Sequence, residues 1–165
     1  MSIPERELRK NKPRKAKFIL KDTPKHRDLS ATLSKILQLP EDSVSARVIM
    51  KRIEEGFVPK RMDAVKSYLN LGDLEFSRYT NISKRTLARR KSARLTSTES
   101  DRVYRLAKLA ALSSELFEGE RMAANNWLKS PNKGLGGETP LEYAETNPGY
   151  DEVVQLIGQL EHGVF

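Results

Sequence analysis

Cysteine is absent from this 165-residue chain, which removes disulfides, thiolate nucleophiles and cysteine-ligated zinc together and fits a reducing cytoplasm. Histidine is scarce: His26 and His162 are the two present. Neither has a carboxylate or nucleophile at a recognisable spacing, and no H-E-x-x-H pair occurs, so neither a Ser/His/Asp site nor a zinc hydrolase site is indicated. Adjacent carboxylates such as Glu54 with Glu55, or Asp151 with Glu152, diverge on a helix and read as solvated faces. The expectation is therefore a non-enzyme with no cofactor and no metal. Long apolar runs are also missing: about 18 consecutive apolar residues are needed to span a bilayer, and the basic N-terminus has no apolar segment of signal-peptide type. No membrane association is expected, and a cytoplasmic location is. Period-two alternation is lacking throughout, which argues against strands and for an all-α chain.

What the chain has in abundance is positive charge, unevenly placed. Its net charge is +8, but residues 1–95 hold 24 Lys/Arg against 11 Asp/Glu, whereas residues 96–165 hold 6 against 11. A basic two-thirds favours a polyanionic partner, and an acidic third suits a different one. Residues 1–27 carry ten of the cations with three acids and little to bury beyond Phe18, Ile19 and Leu20. They read as a basic, flexible arm, able to meet phosphates by charge or simply to stay solvated.

From Leu29 onward the apolar spacing becomes helical. Leu29, Leu33, Ile36 and Leu37 form one stripe, Val44, Val48, Ile49 and Ile53 a second closed by Gly56, and Met62, Val65, Tyr68 and Leu69 a third ended by Gly72. Thr96 with Glu99 makes a T-x-x-E capping box, followed by a buried face of Val103, Leu106, Leu109, Ala110, Leu116 and Phe117 up to Gly119. Met122, Ala123, Trp127 and Leu128 supply the next helix. After a loop from Pro131 to Gly137, Thr139 to Glu142 repeats the cap with Pro140 at the first helical position. Val153, Val154, Leu156, Ile157 and Leu160 mark a last helix, terminated by Gly163.

Asp73 to Lys91 supplies the parts of a helix-turn-helix. Leu74, Phe76 and the small Ser77 suit its first helix, Asn81 tolerates the left-handed turn, Ile82 plugs the core, Ser83 caps the second helix and Leu87 anchors it. Lys84, Arg85, Thr86, Arg89, Arg90 and Lys91 then crowd the remaining surface. Arg85 and Arg89 are assigned to bases, and Lys84, Thr86 and Arg90 to bases or backbone, because Arg reads guanine bidentately. A solvated basic helix in an ordinary bundle is the competing reading. The Gly134 to Gly137 loop follows no strand and lacks the Lys-Ser/Thr of a P-loop, so nucleotide binding is not expected there.

The run Ile82-Ser83-Lys84-Arg85-Thr86-Leu87-Ala88-Arg89-Arg90 is followed by Leu95-Thr96, Glu99 to Arg102, Trp127-Leu128, Asn132, Leu135-Gly136-Gly137, Thr139-Pro140-Leu141 and Gly163. In this order the motifs resemble Xre/ParS/MbcA-type antitoxins, the partners of RES-domain toxins, from about residue 45 to the C-terminus. One departure is Asn81, where such turns often carry Gly. The resemblance implies an antitoxin whose C-terminal domain covers the cleft of an NAD-degrading toxin and whose basic half represses its own promoter. It places the toxin contacts at Ser100, Arg102, Trp127, Leu135, Gly136, Gly137, Thr139, Pro140, Gly163, Val164 and Phe165. Read as residues alone, Trp127 suits core or interface, and Arg102 an internal ion pair or a toxin contact. An acidic lobe does suit a basic cleft that binds a dianionic dinucleotide.

The expected organisation is a basic arm over 1–27, a helical DNA-binding region over 28–95 with its helix-turn-helix near 73–91, and a helical toxin-binding domain over 96–165. The expected partners are a RES-domain toxin, operator DNA and a second copy of the chain, since one recognition helix reads few base pairs. The alternative is a stand-alone transcription regulator with a dimerisation or sensing lobe. An RNA-binding protein using the basic arm is the further rival.

Overall fold

A computed structural model describes residues 29–163, and these contain helices and no strand. The basic arm at 1–27, and with it His26, lies outside the described residues, as do Val164 and Phe165. Among the described residues nine α-helices follow one another: α1 (Leu29–Leu37), α2 (Ala46–Glu55), α3 (Pro59–Tyr68), α4 (Asp73–Thr80), α5 (Lys84–Arg90), α6 (Ser97–Leu116), α7 (Arg121–Leu128), α8 (Pro140–Tyr143) and α9 (Asn147–His162). Short 3-10 turns at Glu41–Ser43 and Lys133–Leu135 fill two of the connections.

The long helix α6 is the axle. It starts where the T-x-x-E box predicts: the Thr96 hydroxyl accepts from Glu99 N–H at 3.2 Å, and the Glu99 carboxylate accepts from Thr96 N–H at 2.7 Å. Its buried positions include Ser100, Ala107, Ala110, Ala111, Ser113 and Ser114, small residues that let neighbouring helices approach on several sides. Helices α1, α2, α3, α4, α7 and α9 all pack on it. One apolar core runs from Leu33, Ile36 and Leu37 through Phe57, Val65, Phe76, Ile82 and Leu95 to Val103, Leu106, Leu128 and Leu141. Burying each such side chain contributes about 1.5–3 kcal/mol, so this core dominates the stability. A smaller cluster of Leu109, Leu135, Val153 and Ile157 sits beneath the C-terminal helices, and Trp127 packs against both. The packing is thus continuous across residue 95, where the charge balance reverses.

One local expectation is revised, and two apolar side chains face outward. Gly72 does not end α3. Asn70, at φ 50°, makes the left-handed exit, and Gly72 in an extended conformation begins α4, its N–H donating to the Glu75 carboxylate at 2.8 Å. Leu74 is 66% exposed: Phe76 and Thr80, one turn apart, take the inward face of α4, and Leu74 lies about 200° around the helix from Phe76. Met122 is likewise 69% exposed, because α7 turns Ala124, Asn125 and Leu128 inward.

One glycine is fixed by its surroundings. Gly56 closes α2 at φ +83°, and a Cβ there would lie 2.1 Å from the Leu95 carbonyl oxygen. The close approach brings the Phe57 carbonyl to Leu95 N–H at 2.9 Å.

Candidate functional site

Helices α4 and α5 form the helix-turn-helix that the spacing predicts. Asn81 adopts φ 51° and ψ 39°, the left-handed conformation the turn requires, which Asn tolerates at lower cost than a branched residue. The small Ser77 serves twice: its hydroxyl donates to the Ile82 carbonyl at 2.7 Å, and its own carbonyl accepts from Ile82 N–H at 3.1 Å. Ile82 is buried behind the turn and Leu87 beneath α5. The Ser83 hydroxyl caps α5 by accepting from Thr86 N–H at 3.1 Å and donates to the Thr86 hydroxyl at 2.9 Å.

These anchors leave Lys84, Arg85, Arg89 and Lys91 exposed, with no side-chain ion pair among the described residues. Thr86 is half-buried and engaged by the cap. Lys84 and Lys91 both add positive field at Asp73, whose carboxyl is held below its ordinary value chiefly by a hydrogen bond and ion pair with Lys66. Arg90 departs from its assignment to DNA. Its Nε and Nη2 grip both oxygens of Glu99 at 2.7 and 3.2 Å, and the side chains are 16% and 12% exposed. Burial pushes the Glu99 carboxyl up, but Arg90 and the Thr96 donors more than offset it, so the net shift is downward. Arg90 therefore locks α5 to the start of α6.

The C-terminal residues divide differently. Ser100 is fully buried: its hydroxyl donates to the Thr96 carbonyl at 2.7 Å and accepts from Phe57 N–H at 2.8 Å. It staples α6 to the α2–α3 link and has no surface to offer a toxin. Arg102 donates to the Asn81 carbonyl at 2.7 Å, so it supports the helix-turn-helix turn and does not form the internal ion pair considered above. Trp127 is half-buried, its ring 6.3 Å from that of Phe117. Leu135 is core, and Pro140 is buried as the first residue of α8, so neither is a surface contact. Thr139 caps α8, accepting from Glu142 N–H at 3.2 Å. The Glu142 carboxyl is lowered by the Thr139 hydroxyl first, then by the Thr139 N–H and by Arg78. Gly136, Gly137 and Gly163 are exposed, with φ of +67°, +93° and +62°. Gly163 ends α9 as expected.

Several ties between the two halves were not foreseen. Arg78 of α4 pairs with Glu145 at 2.7 Å and Glu142 at 3.2 Å. Arg121 and Asn125 of α7, with Lys129 just past its end, present one polar face to the open end of α3. Arg121 donates to Tyr68 O at 2.8 Å and Ser67 O at 2.6 Å, Asn125 to Tyr68 O at 2.8 Å, and Lys129 to Asn70 O at 2.8 Å. Two cations thus satisfy carbonyls at the negative end of a helix dipole. The i, i+4, i+8 spacing of these three polar residues was the available signal. Arg105 stacks 4.4 Å above the Tyr150 ring and also holds Asn147. Burial pushes the Tyr150 hydroxyl up to about 12, against the pull of Arg105. A cavity of about 160 Å³ lies between the turn at Asn81 and the start of α9, lined in part by Tyr79, Arg102, Arg105, Glu145 and Tyr150.

Among the described residues no helix is long and apolar enough to cross a membrane, and no cluster of three or more His, Asp or Glu is arranged to hold a metal. Residues 48–108 match the family model of the antitoxin Xre-like helix-turn-helix domain, and residues 114–163 that of the antitoxin Xre/MbcA/ParS C-terminal toxin-binding domain. The Antitoxin Xre of Yersinia enterocolitica is 37% identical over 120 residues, covering 72% of this chain and 81% of that protein. The Antitoxin Xre of Photorhabdus laumondii is 31% identical, covering 86% and 96%. The Antitoxin Xre of Pseudomonas putida is 31% identical, covering 88% and 89%. With a helix-turn-helix built on α4 and α5, a toxin-binding segment from the end of α6 to α9, and relatives of this extent, the chain belongs to the Xre/MbcA/ParS antitoxins of type II toxin–antitoxin systems.

Proposed function

We propose that this antitoxin neutralises a RES-domain, NAD-degrading toxin by covering its active-site cleft with the C-terminal lobe, and that it represses its own promoter through α5. The observation that carries the DNA half is the set of four exposed cations, Lys84, Arg85 and Arg89 on α5 and Lys91 at its end, left free while Leu87 is committed to the core and Arg90 to α6. Arg85 and Arg89 read bases and the two lysines hold phosphate. A cytoplasmic homodimer presents two such helices to a two-fold operator.

For the toxin half, the lobe carries net negative charge, and Gly136, Gly137 and Gly163 are exposed on it. Leu135 and Pro140 hold the neighbouring backbone from inside, whereas Ser100 is tied to the α2–α3 link. The chemistry that favours a RES-type partner is complementarity between the acidic lobe and a cleft built for a dinucleotide's phosphates.

The deciding experiment is expression of the neighbouring toxin gene in cells, with and without this chain, scored for growth and cellular NAD. Recovery of both supports the reading. Unchanged NAD in the absence of this chain removes the NAD-degrading partner. Binding to the promoter without any protection from the toxin points instead to a stand-alone regulator.

A further inference from the structure

The cavity of about 160 Å³ at the junction of the helix-turn-helix and the C-terminal lobe has an apolar floor and a polar mouth. Leu106 and Leu109 of α6 and Leu141 of α8 are buried and form the floor. Asn81, Glu145 and Asn147 are exposed and stand at the opening. Between them the wall carries two cations. Arg102 and Arg105 both line the cavity, three residues apart on α6 and on the same helix face as Leu106 and Leu109.

Neither arginine has a carboxylate partner among the described residues, although Arg78 and Arg90 each have one. Glu145, the acid in the lining, is engaged by Arg78 at 2.7 Å. The hydrogen bonds that hold the two guanidiniums in place leave donors over, since each carries five N–H groups. Arg102 spends Nη1 on the Asn81 carbonyl, and its Nε and Nη2 make no hydrogen bond. Arg105 spends Nη1 on Asn147 and Nη2 on the Thr146 carbonyl at 3.4 Å, which leaves its Nε. The Tyr79 and Tyr150 hydroxyls, also in the lining, have no hydrogen-bond partner among the described residues. None of these spare groups is sealed from solvent, in contrast to the shielded Nε of Arg52.

An apolar floor beneath a few convergent polar groups is the usual make-up of a small-molecule site. The guanidinium fork matches the two oxygens of a carboxylate. The volume suits an apolar body the size of a benzene ring, because cavities of about 150 Å³ admit benzene.

We propose that this cavity binds a small organic carboxylate, its apolar body resting on Leu106, Leu109 and Leu141 and its anionic group held by Arg102 and Arg105. A ligand seated there meets the turn at Asn81 and the start of α9 together, so it braces the helix-turn-helix against the toxin-binding segment. The site does not depend on which toxin or operator the chain serves.

The test follows the backbone amide signals of the isotope-labelled full chain during titration with sodium acetate, butyrate and benzoate, with sodium chloride holding the ionic strength constant. Benzamide, shaped like benzoate but uncharged, is the control ligand. We expect saturable shifts centred on Asn81, Arg105 and Tyr150, binding that strengthens from acetate to benzoate as the apolar body grows, and benzamide weaker than benzoate by at least about tenfold. Arg105→Gln should weaken benzoate by at least about tenfold. Lys108→Gln, which removes a cation of α6 outside the cavity lining, should change it by no more than about twofold.

Should Arg105→Gln not fold, Arg102→Gln is read in the same way, and the comparison of benzoate with benzamide needs no variant. The absence of saturable shifts with all three carboxylates overturns the site. Equal binding of benzoate and benzamide, no gain from acetate to benzoate, or equal weakening by Arg105→Gln and Lys108→Gln does the same.

Discussion

In α5 the residues that the motif marks out lie mostly on the outside, whereas in the C-terminal lobe many of them lie within the fold. Lys84, Arg85, Arg89 and Lys91 are exposed, but Ser100, Leu135 and Pro140 are buried and Thr139 is spent on a cap. A reader of DNA needs only a cationic face, and any well-capped helix supplies one. A surface shaped for a particular protein needs its backbone held in place, and Leu135, Thr139 and Pro140 lie in or beside the loop from Asn132 to Thr139 as core, cap and first helical residue. The resemblance therefore marks out mainly exposed residues in the first region and several buried or capping residues in the second.

The largest expected effect tests whether these regions stand or fall together. Gly56→Ala places a methyl against the Leu95 carbonyl at a positive φ and should cost about 3–5 kcal/mol in urea unfolding. DNA binding and toxin neutralisation should be lost in parallel. Retained neutralisation would show that the lobe keeps its shape without the α2–α6 contact.

Charge reversal comes next. Arg85→Glu with Arg89→Glu should weaken promoter binding roughly 10²- to 10⁴-fold, measured by gel shift, while stability changes by no more than about 0.5 kcal/mol and protection from the toxin persists. Loss of that protection would merge the two surfaces.

Arg90→Gln should behave in the opposite way, costing about 2 kcal/mol of stability through the loss of a charge-assisted pair and weakening promoter binding only by loosening α5. This difference is pH-dependent. Because the Glu99 carboxyl lies below its ordinary 4.5 in the folded chain, its contribution is complete above that value and is lost as pH falls through the lower folded-state value. The gap between wild type and Arg90→Gln in urea midpoints should therefore narrow from pH 7 to pH 3. The smallest effect is expected for Met122→Ser, within about 0.5 kcal/mol, since this side chain is 69% exposed. A marked loss of protection with stability intact would place Met122 in the toxin interface.

What could be read from the sequence was what is local along it. Asn81, Ser83 and both T-x-x-E boxes act within three residues of themselves, and each behaves as its spacing predicts. Partners distant in sequence left no such mark. Glu99 was legible as a cap, but its grip on Arg90 depends on the angle between α5 and α6. Ser100 meets Phe57 from 43 residues away, which no periodicity encodes.

The central position of α6 has a consequence for how the molecule comes apart. A helix that forms one wall for α1 to α4 and another for α7 and α9 cannot open for one neighbour and stay closed for the other. Amide hydrogen exchange should find its middle, around Ala107 to Ala111, among the slowest sites, exchanging only with global unfolding. The helix-turn-helix and the toxin-binding segment then belong to one cooperative unit, and no intermediate with half the protein folded should accumulate.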